Sequence, residues 1–407
     1  MQLRRMMVAA AVSAAVLLPA APAHARAAPC QNPPGVAQVS KAQPYEERMF
    51  APARLAPFAT GDGVRVAVID SGVDAGHPQL RDQVAAGRDF LHGEPNGRQD
   101  CIGHGTAVAS IIAARPADGA GLRGLAPGAT IVPIRVSEQT DTEGGGQSGG
   151  EPADPGRFAD AIDWAAGPGD ADVINMSLVM TDDDSRVRDA VARAVAAGVV
   201  VVAAAGNHGR ADETNPRPYP ASYPDVIGVG AIGANGVAGD FSQHGDWVDV
   251  TAPGVQVTFA ARGSGHARGD GTSYATPFVS ATAALIRQRF PALTPAQVAR
   301  RIIATADPAP GGRRSDRYGF GVVNPYRALT ETLGPDRAPA PAPAVVHTED
   351  PAAVALTARR ARAQDLSLIV AAAGAGIVVL VVVAAAALRR GRRRGWRPPD
   401  PAGTDPH

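Results

Sequence analysis

Ser273 lies in Gly271-Thr272-Ser273-Tyr274-Ala275-Thr276-Pro277 and His104 in Gly103-His104-Gly105-Thr106. Asp70 closes the apolar run Val66-Ala67-Val68-Ile69, just before Ser71-Gly72. A lone serine hydroxyl is a poor nucleophile at neutral pH. It becomes useful when an imidazole takes its proton and a buried carboxylate fixes the tautomer of that imidazole. The order Asp, His, Ser along a chain is one of those in which this geometry occurs. The chemistry open to these residues is acyl transfer through an activated serine. Taken singly they have plainer roles, Ser273 as a helix cap and Asp70 as a turn residue at a strand end; together, in context, they favour catalysis.

Such groups need rigid elements to bring them together. Strand-like apolar runs at 64–69, 131–136, 173–178, 199–204 and 226–230 alternate with helical patterns at 104–114, 157–166 and 184–197. Near-continuous Val/Ile/Ala strands between helices predict an α/β fold whose parallel sheet is covered on both faces. Sheets of this kind place reacting groups at the carboxyl ends of their strands. Asp70 and Asn207 each follow a strand-like run directly. Ser273 should open a helix over 273–290, with Pro277 tolerated in its first turn, where amides have no helical partner. The positive end of that helix would favour the negative charge that develops in acyl transfer. A second helix, 294–305, begins with Thr-Pro, a good start signal.

The 407 residues suit one large domain or two ordinary ones, and 39 basic residues balance 39 acidic ones, which argues against a nucleic-acid partner. The distribution is less even. Arg4 and Arg5 precede an apolar stretch at 8–18 and the small-x-small site Ala23-His24-Ala25. Residues 1–25 therefore read as a secretory signal peptide. Near the other end, 366–388 is free of charge; a helix over it would rise about 34 Å against a hydrocarbon core of about 30 Å. The reading is a transmembrane helix, the alternative a buried core helix. Arginines from Arg389 to Arg397 put the tail 389–407 in the cytoplasm. The rest is then outside it. The segment 333–365, with Pro339, Pro341, Pro343 and Pro351, reads as a proline-rich linker, and the glycines of 144–150 mark a surface loop.

The cysteines are Cys30 and Cys101. Export makes a disulfide the natural expectation. It would close a loop of roughly 70 residues, worth on the order of 4 kcal/mol in the chain-entropy model. It would fasten an N-terminal extension, 26–61, beside the helix that His104 opens. The alternative is two free buried thiols. His77 reads as structural and His208 as a solvated loop residue, and His244 and His266 sit in loops with no ligand spacing; no metal or cofactor is expected, and Asp182-Asp183-Asp184 reads as a solvated turn.

Asp70-Ser71-Gly72, His104-Gly105-Thr106 and Gly271-Thr272-Ser273 with Ala275-Thr276-Pro277 resemble the three signatures of the subtilisin-like serine peptidases. Ala205-Gly206-Asn207, Pro220-Ala221-Ser222-Tyr223-Pro224, Ala252-Pro253-Gly254 and Tyr318-Gly319-Phe320-Gly321 follow in the order of that family. The resemblance covers about 62–332. It implies a subtilisin-like three-layer fold with a mostly parallel sheet, and a peptidase domain at 62–332. By it, Ser273 attacks the peptide carbonyl, His104 moves the proton, Asp70 orients His104, and Asn207 donates to the oxyanion beside the Ser273 N–H. Ser177, Leu178 and Val179, with Gly206, match the segments on which family substrates lie as an added strand. Val179 and Met180 stand where the family carries glycines.

The arrangement around the domain resembles one branch, the mycosins of type VII secretion systems, although mycosins usually carry further cysteines. That likeness implies exported polypeptides as substrates, a membrane, and a secretion membrane complex as partner. Two other readings remain: a structural component that stabilises such a complex, and a general envelope protease without a secretion partner.

Overall fold

The computed structural model describes residue 30 and residues 37–139, 153–334 and 389–390. The signal peptide, the 366–388 span and nearly all of the linker lie outside the described residues. Among the described residues no helix is long and apolar enough to cross a membrane. The chain divides into two units, 1–344 and 345–407. Of the second, only the exposed, helical pair Arg389 and Arg390 is described.

The helices are α1 (Tyr45–Phe50), α2 (Pro52–Leu55), α3 (His104–Ala113), α4 (Pro155–Ala166), α5 (Ser185–Ala196), α6 (Thr272–Arg289), α7 (Pro295–Ala304) and α8 (Pro325–Thr330). The first six strands are β1 (Arg65–Asp70), β2 (Arg88–Asp89), β3 (Thr130–Arg135), β4 (Val173–Met176), β5 (Val200–Ala204) and β6 (Val226–Ile232). Then come β7 (Val250–Pro253), β8 (Val257–Ala260), β9 (His266–Gly269), β10 (Asp307–Pro308) and β11 (Gly321–Val322). Among the described residues, nine strands form one sheet in the order β10-β11-β7-β6-β5-β4-β1-β3-β2. Every pairing in it is parallel except β10 with β11. Strands β8 and β9 form a separate antiparallel hairpin.

Alternation along the strands feeds two cores. Val66, Val68, Val200 and Val202 pack with α3 and α6 on one face. Ala67, Ile69, Val201 and Ala203 pack with α4 and α5 on the other. Each fully buried valine or isoleucine contributes about 1.5–3 kcal/mol, and covering both faces is why these strands read as continuous apolar runs. The three-layer α/β expectation therefore stands as drawn. Strand order reverses at β1, where β3 and β2 lie to one side and β4 to β7 to the other. The carboxyl ends of β1 and β4 flank that switch point, the usual place for a site in an open α/β sheet.

Two readings need correction. Strand 173–178 stops pairing at Met176. And Pro277 is not in the first turn: α6 starts at Thr272, so Pro277 is its sixth residue and lies inside the helix. A proline there cannot donate to the carbonyl four residues back, which is Ser273 O. The Ser177 hydroxyl donates to that carbonyl instead, at 2.8 Å.

The N-terminal extension is laid onto the domain. Cys30 and Cys101 form a disulfide. Ala37 N donates to Ser264 O, His266 N to Gln38 O, and Ser40 N to His266 Nδ1. Phe50 packs on Phe278 of α6 with ring centroids 5.3 Å apart. In α1, Glu46 and Glu47 are both buried, and Glu46 Oε1 accepts from Thr258 N at 2.8 Å.

Burial pushes the Glu47 carboxyl up from 4.5 to about 7, against the pull of Arg123 and with a further push from Glu46. Between those values the folded chain keeps a proton that the unfolded chain has released, so stability falls as pH rises through that window. Glu47→Gln removes the cost. Its melting temperature is expected to exceed the parent's at pH 8 and to match it near pH 4, as read by scanning calorimetry at both. A lower value at pH 8 would mean that attraction to Arg123 outweighs burial.

Candidate active site

Asp70 is the last residue of β1, and His104 is the first of α3, which rises from the loop after the switch point. His104 Nδ1 lies 2.8 Å from Asp70 Oδ1. The same oxygen accepts from Ser71 N at 2.7 Å. Asp70 is wholly buried, and His104 and Ser273 nearly so. With Nδ1–H directed at the carboxylate, Nε2 is left as the basic nitrogen. The His104 ring packs beside Tyr274, next to the serine, with centroids 5.5 Å apart.

Close approach of β1 to α3 depends on Gly105. A Cβ there would stand 2.0 Å from Gly72 O. All ten residues of α3 are buried, most of them small, which explains a helix without a polar face. It packs against α6 and against β8.

Ser273 sits in the first turn of α6, where its N–H has no helical partner. Asn207 follows β5 after Gly206, whose φ is +94°. A Cβ on Gly206 would also crowd the end of the Gln243 side chain, 1.9 Å from Oε1, but it is the turn that requires glycine. Asn207 Oδ1 accepts from Thr272 N and Thr272 Oγ1, both at 2.9 Å. Fixing the oxygen fixes the amide nitrogen. A methyl placed on Gly271 would lie 2.9 Å from Ser273 Oγ and 3.7 Å from Asn207 Nδ2. The hydroxyl and the amide therefore flank one small space.

Ser177, Leu178 and Val179 continue beyond the paired part of β4, and Met180 then forms an isolated antiparallel bridge with Tyr219. The Ser177 side chain faces inward. Ser280 Oγ donates to Asn175 Oδ1, Asn175 Nδ2 to Ser177 Oγ, and Ser177 Oγ to Ser273 O. Its hydroxyl ties the segment that follows β4 to the carbonyl of Ser273.

Three other histidines among the described residues make contacts of their own. His77 Nε2 is 3.2 Å from Gly265 O, His266 joins the extension, and His208 approaches Glu213 at 3.7 Å. Arg188 and Arg186 engage Asp183 and Asp184. Among the described residues no cluster of three or more His, Cys, Asp or Glu could hold a metal ion.

One carboxylate escaped the sequence reading. Asp100 is buried, and its Oδ1 accepts from Ser71 Oγ at 3.0 Å, Ile102 N at 3.0 Å and Gly103 N at 2.7 Å. Its Oδ2 accepts from Thr106 N at 2.9 Å and Thr106 Oγ1 at 2.6 Å. It caps α3 from outside the position next to the helix, so no capping pattern in the sequence marks it.

Residues 61–321 match the subtilase family. Subtilisin E of Bacillus subtilis is 38% identical over 288 residues, covering 70% of this chain and 71% of that protein. Mycosin-1 of Mycobacterium tuberculosis is 38% identical over 343 residues, covering 73% and 75%. Among solved structures, MycP1 with its N-terminal propeptide removed superposes with a TM-score of 0.63 at 35% identity, covering 72% of this chain and 99% of that one. Another, a serine protease MycP1 described as an essential component of the type VII (ESX-1) secretion system, gives 0.62 at 37% identity, covering 73% and 92%.

Proposed function

The chain belongs to the subtilase family and is a serine endopeptidase, and from that premise we propose that Asp70, His104 and Ser273 are its catalytic triad. The observation that carries the proposal is the 2.8 Å contact of His104 Nδ1 with Asp70 Oδ1, with Ser273 Oγ and Asn207 Nδ2 flanking one space. Ser273 Oγ attacks the scissile carbonyl carbon and its proton passes to His104 Nε2. The carbonyl electron pair moves to oxygen, where Asn207 Nδ2 and the Ser273 N–H receive it. The C–N bond breaks as the imidazolium returns that proton to the leaving amine. Water then repeats the cycle on the acyl-enzyme and releases the carboxylic acid. Asp70 holds the tautomer and stabilises the imidazolium. Substrate backbone pairs with 177–179 as an added strand, near Gly206.

The proposed setting is a mycosin-type one. Residues 1–25 direct export, 62–332 form the peptidase domain, and 333–365 space it from an anchor at 366–388 with the cytoplasmic tail 389–407. The substrates are exported polypeptides, and the partner is a type VII secretion membrane complex. The charge-free run, the basic tail and the likeness to mycosins support this reading.

Labelling of full-length protein with a serine-directed fluorophosphonate tests the triad: label is expected on wild type and none on Ser273→Ala. The similarity to MycP1, an essential component of a secretion system, favours a second, coexisting role in stabilising a complex. Purification from membranes carrying Ser273→Ala is expected to yield a large complex still containing the variant. Loss of the complex would tie assembly to hydrolysis, and a lone variant beside a lone wild type would leave a general envelope protease.

A further inference from the structure

We propose that Asp100 is a positioning residue for this hydrolysis: its enclosed, ionised carboxylate sets the first turn of α3, aims His104 and favours the imidazolium. The inference rests on the triad reading above.

All five partners of Asp100 are donors: three main-chain N–H groups and the hydroxyls of Ser71 and Thr106. An ionised carboxylate only accepts, whereas a protonated one must donate. Protonating it would turn one of the two hydroxyls from donor to acceptor, while the three main-chain N–H groups can only donate. Burial and the neighbouring Asp70 raise the proton affinity of Asp100, and the Thr106 and Gly103 donors oppose them. Three N–H groups and two hydroxyls directed at one carboxylate are charge-assisted hydrogen bonds of the kind that can offset burial, and the charged form is the one proposed.

The geometry connects that charge to the triad by short paths. Ser71, whose N–H holds Asp70 Oδ1, sends its hydroxyl to Asp100 Oδ1 and accepts Gly105 N at 3.0 Å. Gly103 and Gly105 bracket His104, and both are held by this pair. Thr106, one residue further, takes both a main-chain and a side-chain bond to Oδ2. The imidazole is thus suspended from a turn that Asp100 fixes on both sides. A negative charge beside the turn also favours a positive ring.

The remaining charged or titratable groups around this corner are Asp70 on β1, Asp74 after it, Arg135 on β3, Tyr274 on α6 and Arg262 between β8 and β9. Asp74 N donates to Thr106 Oγ1, and Arg135 and Arg262 reach Cys101. The residue after Asp100 carries the disulfide to Cys30, so the extension is fastened to the same loop.

The test is the rate of fluorophosphonate labelling of the full-length chain between about pH 5 and 9, the range in which histidine titrates. Asp100→Asn is expected to label about tenfold more slowly at its plateau, the scale of a slight misplacement. Its half-maximal point should move about one pH unit lower, because the ring has lost a nearby anion. Thr106→Ser, which keeps the hydroxyl donor and with it the charge, should label at close to the parental rate with its half-maximal point unmoved. An Asp100→Asn half-maximal point equal to the parent's overturns the inference. Should that variant fail to fold, Asp100→Glu, which keeps the charge but displaces it, takes its place; a parental labelling rate there overturns the inference equally. Label persisting on Ser273→Ala would instead overturn the triad reading, which keeps the two failures apart.

Discussion

Ser273→Ala is expected to lose hydrolysis of a generic substrate such as fluorescein-casein by a factor on the order of 10⁶, with an unchanged melting temperature. The factor is measured on subtilisin, a relative of this chain, and is carried over from it. The physical grounds for a clean variant are local. Only the hydroxyl is lost, alanine is a good helix former in the first turn, and the carbonyl of residue 273 keeps its bond from Ser177 Oγ. Residual hydrolysis above a thousandth of wild type, in material free of host proteases, would assign the nucleophile to another residue.

Asn207→Asp gives the second-largest effect, and it separates two roles of one side chain. The carboxylate still accepts from Thr272 N and Thr272 Oγ1, so the local turn is kept. What changes is the atom facing the reaction space, from an N–H donor to an anionic oxygen. Turnover is expected to fall by about 10²–10³ with KM within a few-fold, the range for losing one such donor in subtilisin, again a relative. A negative charge in place of a donor pushes toward the upper end. Turnover above a tenth of the parent's would remove Asn207 from the oxyanion site and leave it as the anchor of Thr272.

The fold was legible where burial on both sides made the strands uniform. The runs at β1, β3, β5 and β6 and the helices α3 to α7 appear within a few residues of their sequence positions. Strands β7 to β11 did not announce themselves, being two to four residues long and set among glycines, prolines and polar residues. Helix α1 hid for another reason: it buries Glu46 and Glu47, residues that hydrophobic patterning assigns to a surface.

The candidate site was readable as residue types in a fixed order, since Asp70, His104, Ser273 and Asn207 each sit at an element boundary with its own glycine or strand signal. Their supports were not. Thr272 and Gln243 act through contacts between residues far apart in the chain, and Asp100 caps its helix from outside the usual capping position; a lone sequence carries no pattern for either. Pro277 shows how a local rule can mislead. It stands deeper in its helix than its neighbours suggested, and Ser177, just past the end of β4, fills the gap.

The extension is held by groups that arrive late in synthesis: Thr258 meets Glu46 across 212 positions, and His266 meets Ser40 across 226. Contacts that span so much chain close slowly and only after their far partner exists. In a polypeptide emerging head first, the arm must wait, unsheltered, until nearly the whole domain has followed it. For the proposed triad the same wait applies to hydrolysis, because its acid and imidazole precede its attacking oxygen by well over a hundred residues. Assembly thus keeps its own clock, and a half-emerged chain has nothing with which to cut itself or its neighbours.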